Sequence, residues 1–116
     1  MIITADQGRE PEKLYIAGPM TGLPDHNFPA FHRVAAIVRE LGFTVLNPAE
    51  LVSEPPYNKP WDFYMRKALA LLLCCDSILM LNNWTESKGA KIEWTLAQEL
   101  GMKVYHESKL KAGKPL

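Results

Sequence analysis

The sequence predicts an α/β protein built on a mainly parallel sheet of four to five strands, as a single domain. Three observations predict this class. Short apolar runs alternate along the chain with longer segments whose apolar residues recur every three or four positions. Glycine, proline or asparagine ends most of these segments. The length of 116 residues suits one hydrophobic core and is too short for two domains.

The first half of the chain predicts a strand, a helix, a second strand and a loop. The apolar run at 14–17 predicts a buried strand, which glycine and proline end. Across 28–41 the apolar side chains recur at helical spacing and a glycine follows, so this segment is a predicted helix. Residues 43–46 form a second predicted strand. Three prolines within 50–60 predict a loop.

The second half of the chain predicts two more helices and two more strands. A helix is expected over about 60–74, followed by a strand at 77–81. The next predicted helix covers 88–100, with a serine before it as N-cap and a glycine after it. The last predicted strand is 102–105. The polar tail from 106 to 116 is expected to be loose.

This alternation of strands and helices predicts a doubly wound, flavodoxin/Rossmann-like domain of three layers, with right-handed crossovers. We expect an N-terminal extension at 1–12, the domain at 13–106 and a C-terminal tail at 107–116. Such sheets bind ligands beyond the carboxyl ends of their strands, where the strand order reverses. The predicted ligand site therefore lies in the segments that leave those ends, which are 18–27, 47–48, 82–89 and His106.

Composition favours a small-molecule ligand over nucleic acid or a membrane. Thirteen basic residues balance thirteen acidic ones, so no global positive field attracts a nucleic-acid backbone or an anionic membrane. No apolar run approaches the roughly 18 residues of a membrane span. Asp6, Arg9 and Glu10 stand where a secretory signal needs an apolar core, so we expect a cytoplasmic protein.

The cysteines and histidines predict no metal site. Cys74 and Cys75 are adjacent, and no second Cys or Cys/His pair stands at ligand spacing, so we expect two buried, reduced thiols. His26 and His32 also lack partners at metal spacing. No metal and no cofactor is expected.

Glu93 gives the sharpest local signal for chemistry. It stands at the centre of the apolar stripe of the predicted helix 88–100, and an acid in that position faces the sheet near the strand ends. The stripe consists of Ile92, Leu96, Ala97 and Leu100. Alternatively, Glu93 complements the helix dipole. Tyr15 reaches Glu93 if the first and third strands are neighbours; otherwise it is a core tyrosine.

The segment before Glu93 suits an anion. Ser87-Lys88-Gly89-Ala90 places a hydroxyl, a cation and a glycine at a helix N-terminus, where free backbone N–H groups favour a phosphate. An ordinary serine N-cap with a turn glycine explains the same four residues equally well. Neither of the common glycine-rich phosphate-binding patterns is present.

Two further features have a functional and a structural interpretation. In Gly18-Pro19-Met20-Thr21-Gly22, the glycines allow a ligand close to the backbone, or simply form a tight turn. Trp84 and Trp94 flank the expected pocket, where they stack on a base or lie in a subunit interface.

Three motifs together resemble the nucleoside 2-deoxyribosyltransferase superfamily over residues 13 to about 105. They are Tyr15-Ile16-Ala17-Gly18-Pro19-Met20, the strand from Asp76 to Leu81, and Ser87-x-Gly89-x-x-x-Glu93. The sequence is most similar to small bacterial and phage members that share the turn Ala-Gly-Pro-Met-Thr-Gly-Leu-Pro and the helix start Gly-Ala-x-x-Glu.

The resemblance implies an N-glycosidase or deoxyribosyltransferase that acts through a covalent glycosyl-enzyme intermediate. Glu93 would be its nucleophile and Tyr15 the residue that orients it. Ser87 stands where relatives that hydrolyse nucleoside monophosphates bind phosphate, which implies a 5′-monophosphate substrate. The expected substrate-binding residues are Gly18, Pro19, Met20, Thr21, Asn27, Asn82, Trp84, Ser87, Gly89 and Ala90.

One residue departs from the superfamily pattern. Where these enzymes carry an aspartate that assists protonation of the leaving base, this chain has Ala68. Asp62 lies six residues earlier and points elsewhere on a helix. The substitute acid would be Asp25, His26 or a residue of a second subunit. A missing general acid typically lowers the rate about 10²- to 10⁴-fold.

The sequence therefore leaves alternatives open. A nucleotide-binding or sequestering protein would keep the pocket without the acid, and a purely structural domain would use Glu93 only at a helix start. The resemblance implies a homodimer or larger homo-oligomer. The apolar segment 71–75 fits such an interface or burial on several sides.

Overall fold

The predicted strands pair in one parallel sheet. The computed structural model describes residues 10–111 and 114–116. Its strands lie in the order β2-β1-β3-β4, and every neighbouring pair is parallel. They are β1 (Lys13–Ala17), β2 (Thr44–Leu46), β3 (Ser77–Met80) and β4 (Lys103–His106). The expected α/β class with a parallel sheet is confirmed, with four strands in the described part of the chain.

Helices cover both faces of the sheet and form the outer layers. They are α1 (Phe28–Glu40), α2 (Pro48–Leu51), α3 (Trp61–Leu72) and α4 (Lys88–Glu99). Residues of α1 and α2 belong to one buried cluster, and residues of α3 and α4 belong to the other. The sheet separates the two clusters.

Alternation along β1 explains how one short strand serves two cores. Leu14 and Ile16 belong to the α1 cluster, whereas Tyr15 and Ala17 belong to the cluster under α3 and α4. All four side chains are buried, as expected for a parallel strand that is covered on both faces. Tyr15 therefore points to the face that carries α4.

The strand order reverses between β1 and β3. The chain moves from β1 outward to β2, then crosses back to β3 and continues outward to β4. In the register, Ala17 lies beside Met80 at the carboxyl ends of the two central strands. The segments that leave these ends diverge to opposite sides, and the space between them is where such sheets hold ligands.

Two helix boundaries differ from expectation. The predicted loop 50–60 is wrong at its first two residues because α2 extends to Leu51. The Asn47 side chain accepts a hydrogen bond from Ala49 N–H, 3.0 Å away, and Pro48 occupies the first helical position, where proline is favoured. Helix α3 ends at Leu72, before Cys74.

The apolar stripe expected on the last helix is also corrected. The buried face of α4 consists of Ala90, Glu93 and Ala97, whereas Ile92 and Leu100 are exposed. The alanines on either side of Glu93 on this face allow α4 to lie close to β1 and β3. Similarly, Cys74 is exposed and Cys75 is half-buried, so the expectation of two buried thiols is wrong, although both are free.

The C-terminal segment is more ordered than expected. After β4 a 3₁₀ turn covers Glu107–Lys109. The Glu107 carboxylate accepts a hydrogen bond from Asn82 N–H at 2.9 Å and pairs with Arg33 at 3.0 Å. Leu110 and Leu116 pack against the α1 cluster, so the expectation of a loose tail is wrong for these two described residues.

Residues 1–9 of the expected N-terminal extension, with Asp6 and Arg9, lie outside the described residues. Among the residues that are described, no helix combines the length and apolar character needed to cross a membrane.

Candidate active site

Glu93 is a carboxylate buried at the switch point between β1 and β3. Its position follows from the start of α4, where the Ser87 hydroxyl accepts a hydrogen bond from Ala90 N–H at 3.1 Å and caps the helix. Glu93 then lies one helical turn beyond Ala90 on the same inward face. Only 5% of its surface is exposed.

Tyr15 holds the Glu93 carboxyl. Strands β1 and β3 are neighbours, and the Tyr15 hydroxyl donates a hydrogen bond to Glu93 Oε2. Tyr15 is almost fully buried in the middle of β1, so its ring cannot move without disturbing the sheet. The contact fixes one of the two carboxyl oxygens, Oε2.

Burial dominates the ionisation of this pair. It raises the pKa of Glu93 to about 7, and the Tyr15 hydrogen bond opposes that rise. Burial, followed by the neighbouring Glu93 charge, raises the pKa of Tyr15 well above its ordinary value. Near neutral pH, Tyr15 thus stays a hydrogen-bond donor while Glu93 exchanges between its two forms.

A cavity of about 740 Å³ opens above Glu93. Its wall includes the loop that leaves β1 and the first turn of α4. Most of the site residues expected from the sequence meet here: Tyr15, Gly18, Pro19, Met20, Thr21, Ser87, Gly89, Ala90 and Glu93. The volume is within the range of small-molecule sites.

Three of the expected substrate-binding residues do not line this cavity. Asn27 donates its side-chain N–H to Pro19 O at 2.9 Å, and Asn82 faces a smaller neighbouring groove that Asn27 also lines. Trp84 stacks on Trp94 with ring centroids 5.3 Å apart. Asn27 therefore acts on the loop after β1 rather than on the cavity directly.

Gly18 and Gly89, two of the three glycines that line the cavity, have packing reasons of their own. A Cβ at Gly18 would lie 2.7 Å from Leu81 Cβ, so the backbone after β1 needs glycine to pass Leu81. A Cβ at Gly89 would lie 3.2 Å from Met65 Sδ, which is a milder conflict with a flexible side chain. The tight-turn interpretation of Gly18 thus has a physical basis independent of any ligand.

Sequence reasoning missed one side of the cavity. It is lined by residues before and within α3, among them Tyr57, Lys59, Trp61, Tyr64 and Met65. The loop before α3 does not directly follow a strand, whereas the sequence prediction used only the segments that leave the strand ends. Lys88 was named only for its charge, and its Nζ lies 4.4 Å from the centre of the Trp61 ring.

The position that departs from the superfamily pattern also lines the cavity. Ala68 on α3 presents only a methyl group there. Of the two substitutes expected within one chain, His26 lines the cavity and Asp25 does not. Within residues 10–111 and 114–116, no cluster of three or more His, Cys, Asp or Glu side chains is placed to hold a metal ion.

Residues 12–106 match the model of a domain of unknown function, DUF4406. The chain belongs to the DUF4406 family. No curated protein sequence matches this DUF4406 chain.

Solved structures show which fold this DUF4406 chain has. A 2-desoxiribosyltransferase from Leishmania mexicana is 23% identical with a TM-score of 0.63, over 83% of this chain and 63% of that one. A 2-deoxyribosyltransferase from Bacillus psychrosaccharolyticus is 18% identical with a TM-score of 0.63, over 90% of this chain and 76% of that one. The DUF4406 chain spans less than two thirds of the Leishmania protein. The resemblance to the superfamily is confirmed at the level of the fold.

Proposed function

We propose that this DUF4406 protein is an N-glycosidase or 2-deoxyribosyltransferase-like enzyme that cleaves the N-glycosidic bond of a nucleoside 5′-monophosphate. The observation that carries the proposal is the Glu93 carboxyl, buried beneath the cavity and held by Tyr15. A buried acid with a raised pKa in a cleft is typical of a catalytic group.

In the proposed reaction, ionised Glu93 attacks the anomeric carbon through Oε1. The bond from that carbon to the base nitrogen breaks, its electron pair leaves with the base, and the base takes up a proton from water. The resulting glycosyl ester is then cleaved by water or by a second base, which restores the carboxylate. Tyr15 keeps Oε2 in place throughout.

The start of α4 supports a phosphate on the substrate. The first N–H groups of a helix have no intrahelical partners, and the helix dipole favours an anion there. The Ser87 hydroxyl oxygen accepts from Ala90, which leaves its hydrogen available to a phosphate oxygen. Lys88 adds a positive charge at the same cavity.

A second candidate function is non-catalytic binding or sequestration of a nucleotide. Ala68 favours it because no acid stands at that point of the cavity to protonate a leaving base. A protein that only binds a nucleotide needs no proton donor for the base. The two candidates share the same ligand site and differ in turnover.

Free-base release tests the proposal. The protein is incubated with deoxy- and ribonucleoside monophosphates, and released base is measured by chromatography. We expect release by the wild type, none by Glu93→Ala, and normal release by Glu99→Gln, which changes an exposed acid on the same helix. Stoichiometric binding without release would favour the receptor, and failure to bind any nucleotide would reject both candidates.

The proposal includes a homodimer or larger homo-oligomer in the cytoplasm. Leu73 is more than half exposed and the adjacent Cys74 is exposed, which supports an apolar contact surface at segment 71–75, and the free cysteines suit a reducing compartment. Sedimentation of the wild type and of Leu73→Asp measures the oligomer. A monomeric wild type would reject this part of the proposal.

A further inference from the structure

Three aromatic rings from two separate loops meet at the cavity. The centroid of the His26 ring lies 4.9 Å from that of Tyr57 and 5.3 Å from that of Phe28, and Phe28 meets Tyr57 at 5.8 Å in an edge-on arrangement. All three residues line the cavity. We name this group the aromatic cluster. Its three rings contact one another at interplanar angles of 40°, 53° and 68°.

The hydrophobic core does not account for the aromatic cluster. Tyr57 is 38% exposed, and His26 is exposed as well. Phe28 alone also packs against the α1 core. Aromatic rings exposed together at a cavity leave π-faces for a ligand.

The backbone is held in a disfavoured conformation to place these rings. Asp25, His26 and Asn27 have φ of 50°, 55° and 61°, and Tyr57 has φ of 58°. None of them is glycine, and such left-handed residues gather at binding and active sites. The Asn27 side chain holds its turn to Pro19 O. The backbone conformation of both segments thus brings the three rings into contact.

The rest of the cavity suits other parts of a nucleotide. The floor carries the Glu93 carboxyl, and the first turn of α4 carries Ser87 and Lys88. Trp61, a further aromatic ring at the cavity, is covered by Lys88. The aromatic cluster is therefore a group of rings on elements distinct from those that carry Glu93, Ser87 and Lys88.

We propose that the aromatic cluster is the surface on which the nucleobase of the ligand stacks, with Tyr57 and His26 as its main contacts. This inference rests on the proposed function and adds where the base lies. Stacking is tolerant of base identity because every base has a π-face. The cluster thus selects for the presence of a base and leaves discrimination among bases to polar groups.

Binding of a nucleotide is compared with binding of its base-free part. Calorimetry measures the affinity of a Glu93→Gln protein, which does not turn over, for 2′-deoxyadenosine 5′-monophosphate and for 2-deoxyribose 5-phosphate. Adding Tyr57→Leu is expected to weaken the nucleotide about tenfold or more, in line with the loss of one stacking ring. The sugar phosphate should bind within about twofold of its former affinity.

Two further variants serve as controls. Tyr57→Phe keeps the ring and is expected to keep both affinities. Phe43→Leu makes the same type of change in a half-buried ring that packs on Tyr105 outside the cavity, and should change neither. If Tyr57→Leu does not fold, His26→Leu replaces it, with the same expectation.

The outcomes separate this inference from the proposed function. Equal weakening of both ligands, or no weakening of either, would overturn the role of the aromatic cluster alone. If the parent protein binds neither ligand, the proposed function fails and the inference fails with it. Selective loss of the nucleotide, together with a wild type that releases no base, would support the stacking surface and reject catalysis.

Discussion

The Tyr15 hydroxyl on β1 donates a hydrogen bond to Glu93 on α4, across 78 positions of sequence. Both partners are buried, and the parallel pairing of β1 with β3 brings their elements together. The bond stabilises the ionised form of Glu93 and burial opposes it, so the balance between the two controls what fraction of Glu93 is ionised at a given pH.

The first prediction concerns the pH dependence of the wild type. In the proposed mechanism only ionised Glu93 attacks, and the pKa of Glu93 is raised to about 7 by burial. We therefore expect kcat/KM for base release to rise about tenfold per pH unit below 7 and to level off above it. Initial rates from pH 5 to 9 measure this. A profile that is flat from pH 5 upward would contradict the raised pKa.

Removal of the hydrogen bond should shift that profile. In Tyr15→Phe the bond that lowers the pKa of Glu93 is lost, so the rise of kcat/KM should move to higher pH. A hydrogen bond to a charged group contributes about 1.5–3 kcal/mol, so we expect about tenfold or more lower activity at pH 7. Partial recovery at pH 9 distinguishes this from simple misfolding, which no pH would repair.

Glu93 should make folding weaker at high pH. Its folded-state pKa is about 7 against an ordinary 4.5, so the protonated form is favoured in the fold. Its stability contribution is complete below pH 4.5 and is lost as the pH rises through 7. At about 1.4 kcal/mol per pKa unit, ionisation lowers the free energy of unfolding by about 3 kcal/mol.

Glu93→Gln is accordingly expected to raise Tm at pH 8 by about 5 °C or more, with a much smaller effect at pH 4. Scanning calorimetry at the two pH values measures the difference. Glu99→Gln is the matched control, and an equal gain in both variants would remove Glu93 as the cause.

Substitution by alanine should change the free energy of unfolding differently at Gly18 and at Gly89. Gly18→Ala places a Cβ 2.7 Å from Leu81 Cβ, which the strand cannot relieve, so we expect a loss of about 1–3 kcal/mol. Gly89→Ala meets only Met65 Sδ at 3.2 Å and gains helix propensity of about 1 kcal/mol. It should be close to neutral in urea unfolding. Equal losses in both variants would contradict this reasoning.

Ser87 tests for a phosphate without loss of the helix cap. Aspartate caps a helix as well as serine does, but its charge repels a phosphate. Ser87→Asp should keep the unfolding free energy within about 0.5 kcal/mol and weaken a nucleoside monophosphate about tenfold or more. Affinity for the corresponding nucleoside should change little. Equal weakening of both ligands would show that no phosphate is bound here.

The sequence was sufficient to predict the elements that depend on a local pattern of residues. Buried runs with clear ends predicted β1 and β3, and an acid within an apolar stripe predicted Glu93 as an inward residue. The meeting of Tyr15 with Glu93 needed one further fact, the pairing of β1 with β3, which the sequence stated only as a condition.

Other features depend on how distant segments pack. His26 and Tyr57 meet only because two loops close over the same cavity, and neither loop carries a periodic signal. Ile92 fits the helical stripe by spacing but is exposed, because small side chains take the inner face of α4. Spacing identifies candidate faces, whereas the distance between helix and sheet determines which side chains fit.

The Glu107 carboxylate joins three elements that end or begin at one edge of the sheet. One oxygen accepts from Asn82 after β3 and the other pairs with Arg33 on α1, while Glu107 itself follows β4. Residues beyond the last strand thus hold the rim beside the ligand cavity, although Glu107 does not line that cavity itself. A chain truncated after His106 would retain β1 to β4 and yet lose the contacts of Glu107 with Asn82 and Arg33. Such a truncated protein is therefore a poor choice for measurements of ligand binding.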